Sequence, residues 1–219
     1  MLLRDNIYRA IRSAILTCEL QPGQELREQI LAERYHVSRS PIRDSLLRLE
    51  YEHLVTVLPR QGYRVNPIAV SDVEDITGLR MLIEPACAAA AARRDDDAVT
   101  ILDRFRDYHD NEAVYNTFLE YNCGFHRAVA DLSGNPRMAA VMHDLLEQFD
   151  RLVRFSLPNY MQLDIHVVME NHRAIIDAIQ AHDADRASQL ARHHVEGGRA
   201  RLLESLRQAA TERSEATAA

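Results

Sequence analysis

Residues 31–65, "LAERYHVSRSPIRDSLLRLEYEHLVTVLPRQGYRV", decide how the first part of the chain folds. Ser38 stands where an N-cap belongs, Pro41 falls in the first turn where proline is tolerated, and Ile42, Leu46 and Leu49 recur at helical spacing. A helix therefore opens at Ser38. It follows, after one tight turn, a shorter helix over Glu28 to Tyr35 that offers Ile30, Leu31 and Ala32 for burial. Beyond Glu52 the pattern changes, because β-branched residues flank Pro59-Arg60-Gln61-Gly62 and predict a hairpin. Helix, helix and hairpin make a winged helix-turn-helix.

Upstream, Leu3, Ile7, Ala10, Ile11, Ala14 and Ile15 predict a first helix that Pro22-Gly23 ends. Downstream, Ser71 and Glu74 have the spacing of a capping box. Apolar positions then recur at helical spacing over 73–92, 98–109, 113–133, 137–156, 163–181 and 184–208, with breaks at "RRDDD", "SGNPR", "LPNY" and "HDAD". The expected fold class is mainly α: a winged helix-turn-helix over residues 1–70 and an all-α bundle of about six helices over 71–219. The closing "RQAATERSEATAA" reads as a frayed tail.

A chain of 219 residues, 47% hydrophobic and 27% charged, can bury real cores and is not a disordered segment. No apolar run approaches the roughly 18 residues of a membrane span, and Arg4 and Asp5 follow the first three residues at once, so a cytoplasmic protein is expected. Cys18, Cys87 and Cys123 are widely spaced with no C-x-x-C, which points to reduced thiols rather than a disulfide framework or a thiolate zinc site. The net charge of −7 is unevenly spread. Residues 1–70 carry 10 Arg against 8 acidic residues, and residues 71–219 carry 16 against 25.

That basic excess surrounds a plausible reading head. Arg39 and Arg43, four residues apart, share an outward face near the start of their helix, with Ser38 and Ser40 beside them. In a helix-turn-helix this end enters the major groove, where Arg pairs with guanine edges or phosphates and Ser donates to phosphates. Gln61 and Gly62 at the wing tip can approach the DNA backbone. A solvated helix face is the alternative for two arginines alone; their setting favours double-stranded DNA.

In the bundle, Asn122 and His126 share one helix face, with Phe118, Phe125 and Val129 nearby. His172 and His194 lie on two later helices. Three imidazoles and one oxygen ligand would suit Zn, Ni or Mn. Spacing alone leaves open that these are scattered surface or core histidines.

Residues 11–65, from "IRSAILTCELQPGQEL" to "RQGYRV", resemble the winged helix of the GntR family of bacterial transcription regulators, through the PG, L-A, V-S-R-x-P-I-R and L-x-x-L elements and the wing glycine. The stretches "LRMLIEPACAAAAARR", "NCGFHRAVADLSGNP", "ENHRAIIDAIQAHDADRA" and "ARHHVEGGRARLL" are similar in order and spacing to the FCD-type effector domain of the family's FadR branch. The resemblance implies DNA contacts at Ser38, Arg39, Ser40, Arg43, Gln61 and Gly62. It implies a divalent metal on His126, His172 and His194, with Asn122 in the place of the usual aspartate. His193 is set aside, since adjacent helical residues point about 100° apart.

The resemblance also implies a homodimer on a palindromic operator and a small carboxylic-acid effector. Arg201, two turns after His194, and Arg80 are the residues expected to meet the effector, although Arg80 can equally pair with Glu84 four residues on. Cys18, His36 and His53 stand where the family has glycine at helix ends, and Gln29 where some relatives have a basic residue. The expected function is a DNA-binding regulator, a repressor, whose operator affinity responds to the effector. Two other readings are a metal-dependent hydrolase or lyase with Glu170 or Glu120 as base, and a regulator with a purely structural metal.

Overall fold

The computed structural model describes residues 3–108, 114–156 and 165–218. The expected break at 157–160 and parts of the helices expected over 98–109, 113–133 and 163–181 fall on residues 109–113 and 157–164, outside the described residues. The chain divides into two compact units, Met1–Ala69 and Val70–Ala219.

In the first unit, α1 (Leu3–Leu16) packs on α3 (Arg39–Tyr51), and α2 (Glu28–Arg34) precedes α3. The stripe predicted for α3 is the core: Ile42, Leu46 and Leu49 are fully buried against Ile11 and Ile15 of α1 and their neighbours. On α2, Leu31 and Ala32 are buried, but Ile30 is 59% exposed, because a two-turn helix can turn only one side to the core. Ser38 occupies the N-cap of α3 without a side-chain cap bond, so its hydroxyl is not engaged in holding the helix.

The wing pairs β2 (Val55–Leu58) with β3 (Gly62–Val65), Leu58 opposite Gly62. A third strand escaped the sequence reading: β1 (Glu25–Leu26) pairs antiparallel with the outer side of β3, giving the order β1-β3-β2. Two residues are too few to show alternation. Gly62 is fixed by this pairing, since its φ is +114° and a Cβ there would lie 2.6 Å from the Leu26 carbonyl oxygen.

The residues that replace glycine at helix ends do adopt the left-handed conformation, with φ of 58° at Cys18, 53° at His36 and 57° at His53. Around His36 and His53 the last carbonyls are closed by two bonds each: Val37 N–H to Ala32 O with His36 N–H to Glu33 O, and Leu54 N–H to Leu49 O with His53 N–H to Glu50 O. This is the Schellman closure, normally built on glycine.

The second unit contains, among the described residues, α4 (Val70–Ala92), a 3₁₀ helix (Asp97–Phe105), α5 (Val114–Leu132), α6 (Pro136–Phe155), α7 (Ile165–Gln180) and α8 (Ala184–Ala218). The alanine-rich end of α4 lets that helix lie closely along α8, with Cys87, Ala88, Ala91 and Ala92 fully buried, and α4 also touches α5, α6 and α7. Three expectations are corrected. Helix α4 begins at Val70, so Ser71 lies inside its first turn rather than at the cap, and the Glu74 carboxylate accepts from Arg199. The segment around 98–105 is 3₁₀ rather than α, with Asp96 capping its start through the Ala98 N–H. Helix α8 runs through the expected tail to Ala218, as its Ala, Glu, Gln and Arg content favours.

All three cysteines are buried and outside any disulfide, and burial pushes the Cys87 and Cys123 thiols up to about 11, so both serve as packing groups. Holding a histidine in the left-handed region costs about 1 kcal/mol or more. Exposed His53 loses no packing when replaced, so His53→Gly is expected to stabilise the N-terminal unit by about 1 kcal/mol in denaturant unfolding; no gain would mean that the local bonds already compensate the strain.

Candidate metal centre and nucleic-acid interface

His126 on α5, His172 on α7 and His194 on α8 converge in the middle of the bundle, each buried, with one ring nitrogen from each within 4.8 Å of the others. His126 Nε2 and His194 Nε2 are 3.2 Å apart. Two nitrogens each about 2.05 Å from a common ion at this separation would subtend about 100°, close to a tetrahedral angle. Phe125 stacks on His172 with ring centroids 3.9 Å apart and thereby fixes the plane of that ring.

The outer nitrogens decide what the inner ones can do. His126 Nδ1 is bonded to Glu84 Oε1, which makes it the protonated nitrogen and leaves Nε2 with a free lone pair. Glu84 in turn accepts from Arg80 at Oε2, at 3.1 Å from Nε and 2.9 Å from Nη2. The Tyr121 hydroxyl donates to the Phe105 carbonyl at 2.8 Å, so toward His172 Nδ1, 3.3 Å away, it can only accept. His172 Nε2 is therefore also the unprotonated nitrogen, and it is buried with no hydrogen-bond partner among the described residues. His194 Nδ1 is buried and unpartnered in the same sense.

The charges agree with this picture. Burial pushes the Glu84 carboxyl up, but Arg80 and His126 more than reverse that, and it lies well below the usual carboxylate range. Burial, then the neighbouring imidazoles, hold His172 and His194 well below the ordinary histidine value, so both rings are neutral at pH 7. The neutral rings of His172 and His194, with the unprotonated Nε2 atoms of His126 and His172, suit a divalent cation; a buried, orphaned acceptor such as His172 Nε2 is otherwise costly. The residues present fit a metal.

Asn122 lies one turn before His126 and is half-buried. Arg201 is half-buried on α8, its Nε without a hydrogen-bond partner among the described residues, and its charge bears on both His172 and His194. Arg80, expected to meet either the effector or Glu84, makes the second of these contacts. It is buried, its Nε and Nη2 are engaged by Glu84, and it lies over the Phe149 ring at 4.4 Å. Glu120 and Glu170, the bases of the hydrolase reading, are exposed, whereas the three histidines are buried. Glu84 and Tyr121 are the residues the sequence reading missed. Glu84 was named only as a pairing partner of Arg80; its bond to His126 and that of Tyr121 to His172 join positions remote in sequence, and no local spacing signals them.

On the first unit, Ser38, Arg39, Ser40 and Arg43 form the exposed opening of α3, and Gln61 is exposed at the wing tip beside half-buried Gly62. Arg60, also exposed at the tip with φ of 66°, adds a cation that the sequence reading did not single out. A solvent-facing row of arginines and hydroxyls at a helix start, flanked by a wing, has the donors to meet phosphates and base edges.

Residues 75–197 match the FCD domain, and residues 3–65 match the bacterial regulatory proteins of the gntR family. The chain is 30% identical over 194 residues to an HTH-type transcriptional regulator in an unstable DNA locus of Streptomyces ambofaciens, covering 88% of this chain and 81% of that one. It is 26% identical to the HTH-type transcriptional repressor RspR of Escherichia coli, over 97% of this chain and 92% of the repressor. Among solved structures, E. coli McbR/YncC superposes with a TM-score of 0.74 at 18% identity, covering 94% of this chain and 99% of that one. A GntR regulator from Rhodococcus sp. RHA1 gives 0.71 at 20% identity, covering 92% and 97%. The family matches and the fold define a DNA-binding transcription regulator with a second, helical unit. The chain belongs to the gntR family of bacterial regulators, in the group that carries an FCD domain.

Because Glu84 orients His126, Glu84→Gln is expected to weaken binding of Zn²⁺ or Ni²⁺ by about 10- to 100-fold in calorimetric titration. Unchanged affinity would show that the carboxylate plays no part in holding that ring.

Proposed function

We propose that the chain acts as a homodimeric repressor that presents two winged helices to a palindromic operator, and that a small carboxylic acid bound in the helical unit alters its operator affinity. The observation that carries this reading is the orphaned Nε2 of His172 beside the facing Nε2 atoms of His126 and His194. In the proposed site these three nitrogens hold a divalent transition metal, Zn, Ni or Mn, and the Asn122 amide oxygen occupies the fourth position. When bound, the metal supplies a Lewis-acid anchor for one end of the effector. An asparagine contributes no charge, so the metal is held more weakly than on three histidines and a carboxylate.

Arg201 is the proposed partner of the effector carboxylate, since it sits close enough to influence two of the histidines and has an unused donor. Arg80 supports the same pocket from behind Glu84, through its hydrogen bonds and its charge. On DNA, Ser38, Arg39, Ser40 and Arg43 enter the major groove, and Gln61, Gly62 and Arg60 approach the backbone beside it. Exposed Leu79 and Leu82 on α4, three residues apart, offer an apolar face for the second copy. Repression follows the names of the E. coli relatives RspR and GlaR, the latter 27% identical over 201 residues. Coupling requires only that the acid prefer one of two arrangements of the dimer.

A thermal-shift screen of small carboxylic acids, with and without EDTA, tests the sensing half. EDTA should lower the melting temperature, and at least one acid should raise it only when metal is present, by about 2.7 kcal/mol of stability at a hundredfold excess over Kd. A drop with EDTA and no response to any acid would leave the metal purely structural. Separately, Asn122→Asp is expected to tighten metal binding about tenfold by adding a charged ligand; the same affinity in both proteins would place residue 122 outside the coordination sphere.

A further inference from the structure

The first two residues of α2 each hold one of the arginines that face outward from α3. Arg43 donates Nε to Glu28 Oε1 and Nη2 to Glu28 Oε2, both at 2.8 Å, a two-pronged pair that fixes the plane of the guanidinium. Arg39 donates Nη2 to Gln29 Oε1 at 2.8 Å, and Gln29 Nε2 donates onward to Glu33 Oε1 at 3.1 Å. The Glu28 side chain is 20% exposed and that of Arg43 60%, so the carboxylate lies beneath the cation it holds.

A stabilising role explains little of this. Even a two-pronged surface ion pair contributes only modestly to folding, and a carboxylate on the face that meets phosphates opposes binding by its charge. What the pair does provide is geometry. With Nε and one proton of Nη2 committed to Glu28, the edge left free on Arg43 is the end formed by Nη1 and the other proton of Nη2. That end is a two-donor fork of the kind that matches guanine O6 and N7. An arginine on an unrestrained stem collapses onto whichever phosphate is nearest; one held from beneath cannot.

We propose that Glu28 is a positioning residue for base reading by Arg43, and that Gln29 does the same for Arg39. The two side chains trade general DNA affinity for sequence discrimination. This rests on the reading of α3 as the helix that enters the major groove. It also gives Gln29 a task without a phosphate contact of its own.

The test begins with selection of binding sites from a random duplex library by the full-length wild-type protein. The enriched duplex and a scrambled one are then titrated with wild type, Glu28→Ala and Glu28→Gln across a range of salt concentrations. Glu28→Ala is expected to bind scrambled DNA as tightly as wild type or more so, while its preference for the enriched site falls about tenfold, within the range that one bidentate base contact contributes. Glu28→Gln, of the same size but with one acceptor and no charge, is expected to fall between, and serves as the measurement if the alanine variant folds poorly. Repeating the selection with the variants should relax the preferred sequence at one base pair in each half-site.

A discrimination ratio within twofold of wild type, with the same enriched sequence, would overturn the proposal. So would an equal loss of affinity for both duplexes, which is what a merely structural role predicts. If the wild type itself enriches no sequence, the assignment of α3 as a reading helix fails, and this inference fails with it.

Discussion

The helical unit is organised around a single carboxylate. Glu84 sits inside the bundle with Arg80 on one oxygen and His126 on the other, and so ties α4 to the centre of α5. Buried ion pairs are rarely retained for stability, because desolvation offsets the Coulombic gain and a hydrophobic replacement often does as well. Here the pair gives one imidazole a defined tautomer and orientation. Tyr121 repeats the device on His172 with a neutral group, taking its own proton to the Phe105 carbonyl. The buried Arg80–Glu84 pair, the orphaned His172 Nε2 and the aromatic ring stacked on that histidine all lead to the same site.

The first unit has the opposite economy. Its core is a small, ordinary apolar stripe, and its unusual features are on the surface, where arginines are held by neighbouring acceptors rather than left free. Two helix ends that demand a left-handed residue are occupied by histidine, and the backbone still closes with the bonds a glycine would allow. The wing carries the strictest local requirement. A side chain at Gly62 would run into the Leu26 carbonyl, so the tip of the wing and the short strand β1 constrain one another.

Much of this was legible in the linear sequence because it obeys short-range rules. The spacing of Ile42, Leu46 and Leu49, the Pro59 to Gly62 turn, and the departures from glycine at Cys18, His36 and His53 all report local backbone and one buried face. Where an element is too short or too irregular for a period, the reading failed: β1 has two residues, and the segment at 97–105 is wound as 3₁₀ although its apolar spacing suited an α-helix. The histidines were found through family resemblance rather than chemistry. Glu84 was visible only as half of an i, i+4 pair, since the partner that gives it meaning lies on another helix.

By itself, then, the sequence determined the longer helices, the wing hairpin and the outward face of Arg39 and Arg43, because these depend on periodicity and turn chemistry, and it singled out the three histidines through motif. Only the tertiary structure decided which nitrogen of His126 and of His172 carries the proton, that Arg80 is committed to Glu84, and that Arg39 and Arg43 are held by Gln29 and Glu28. Each of those facts is a contact between different helices or a consequence of burial. Hydrogen-bond partners and dielectric are set by what the fold brings near, and no spacing along the chain encodes them.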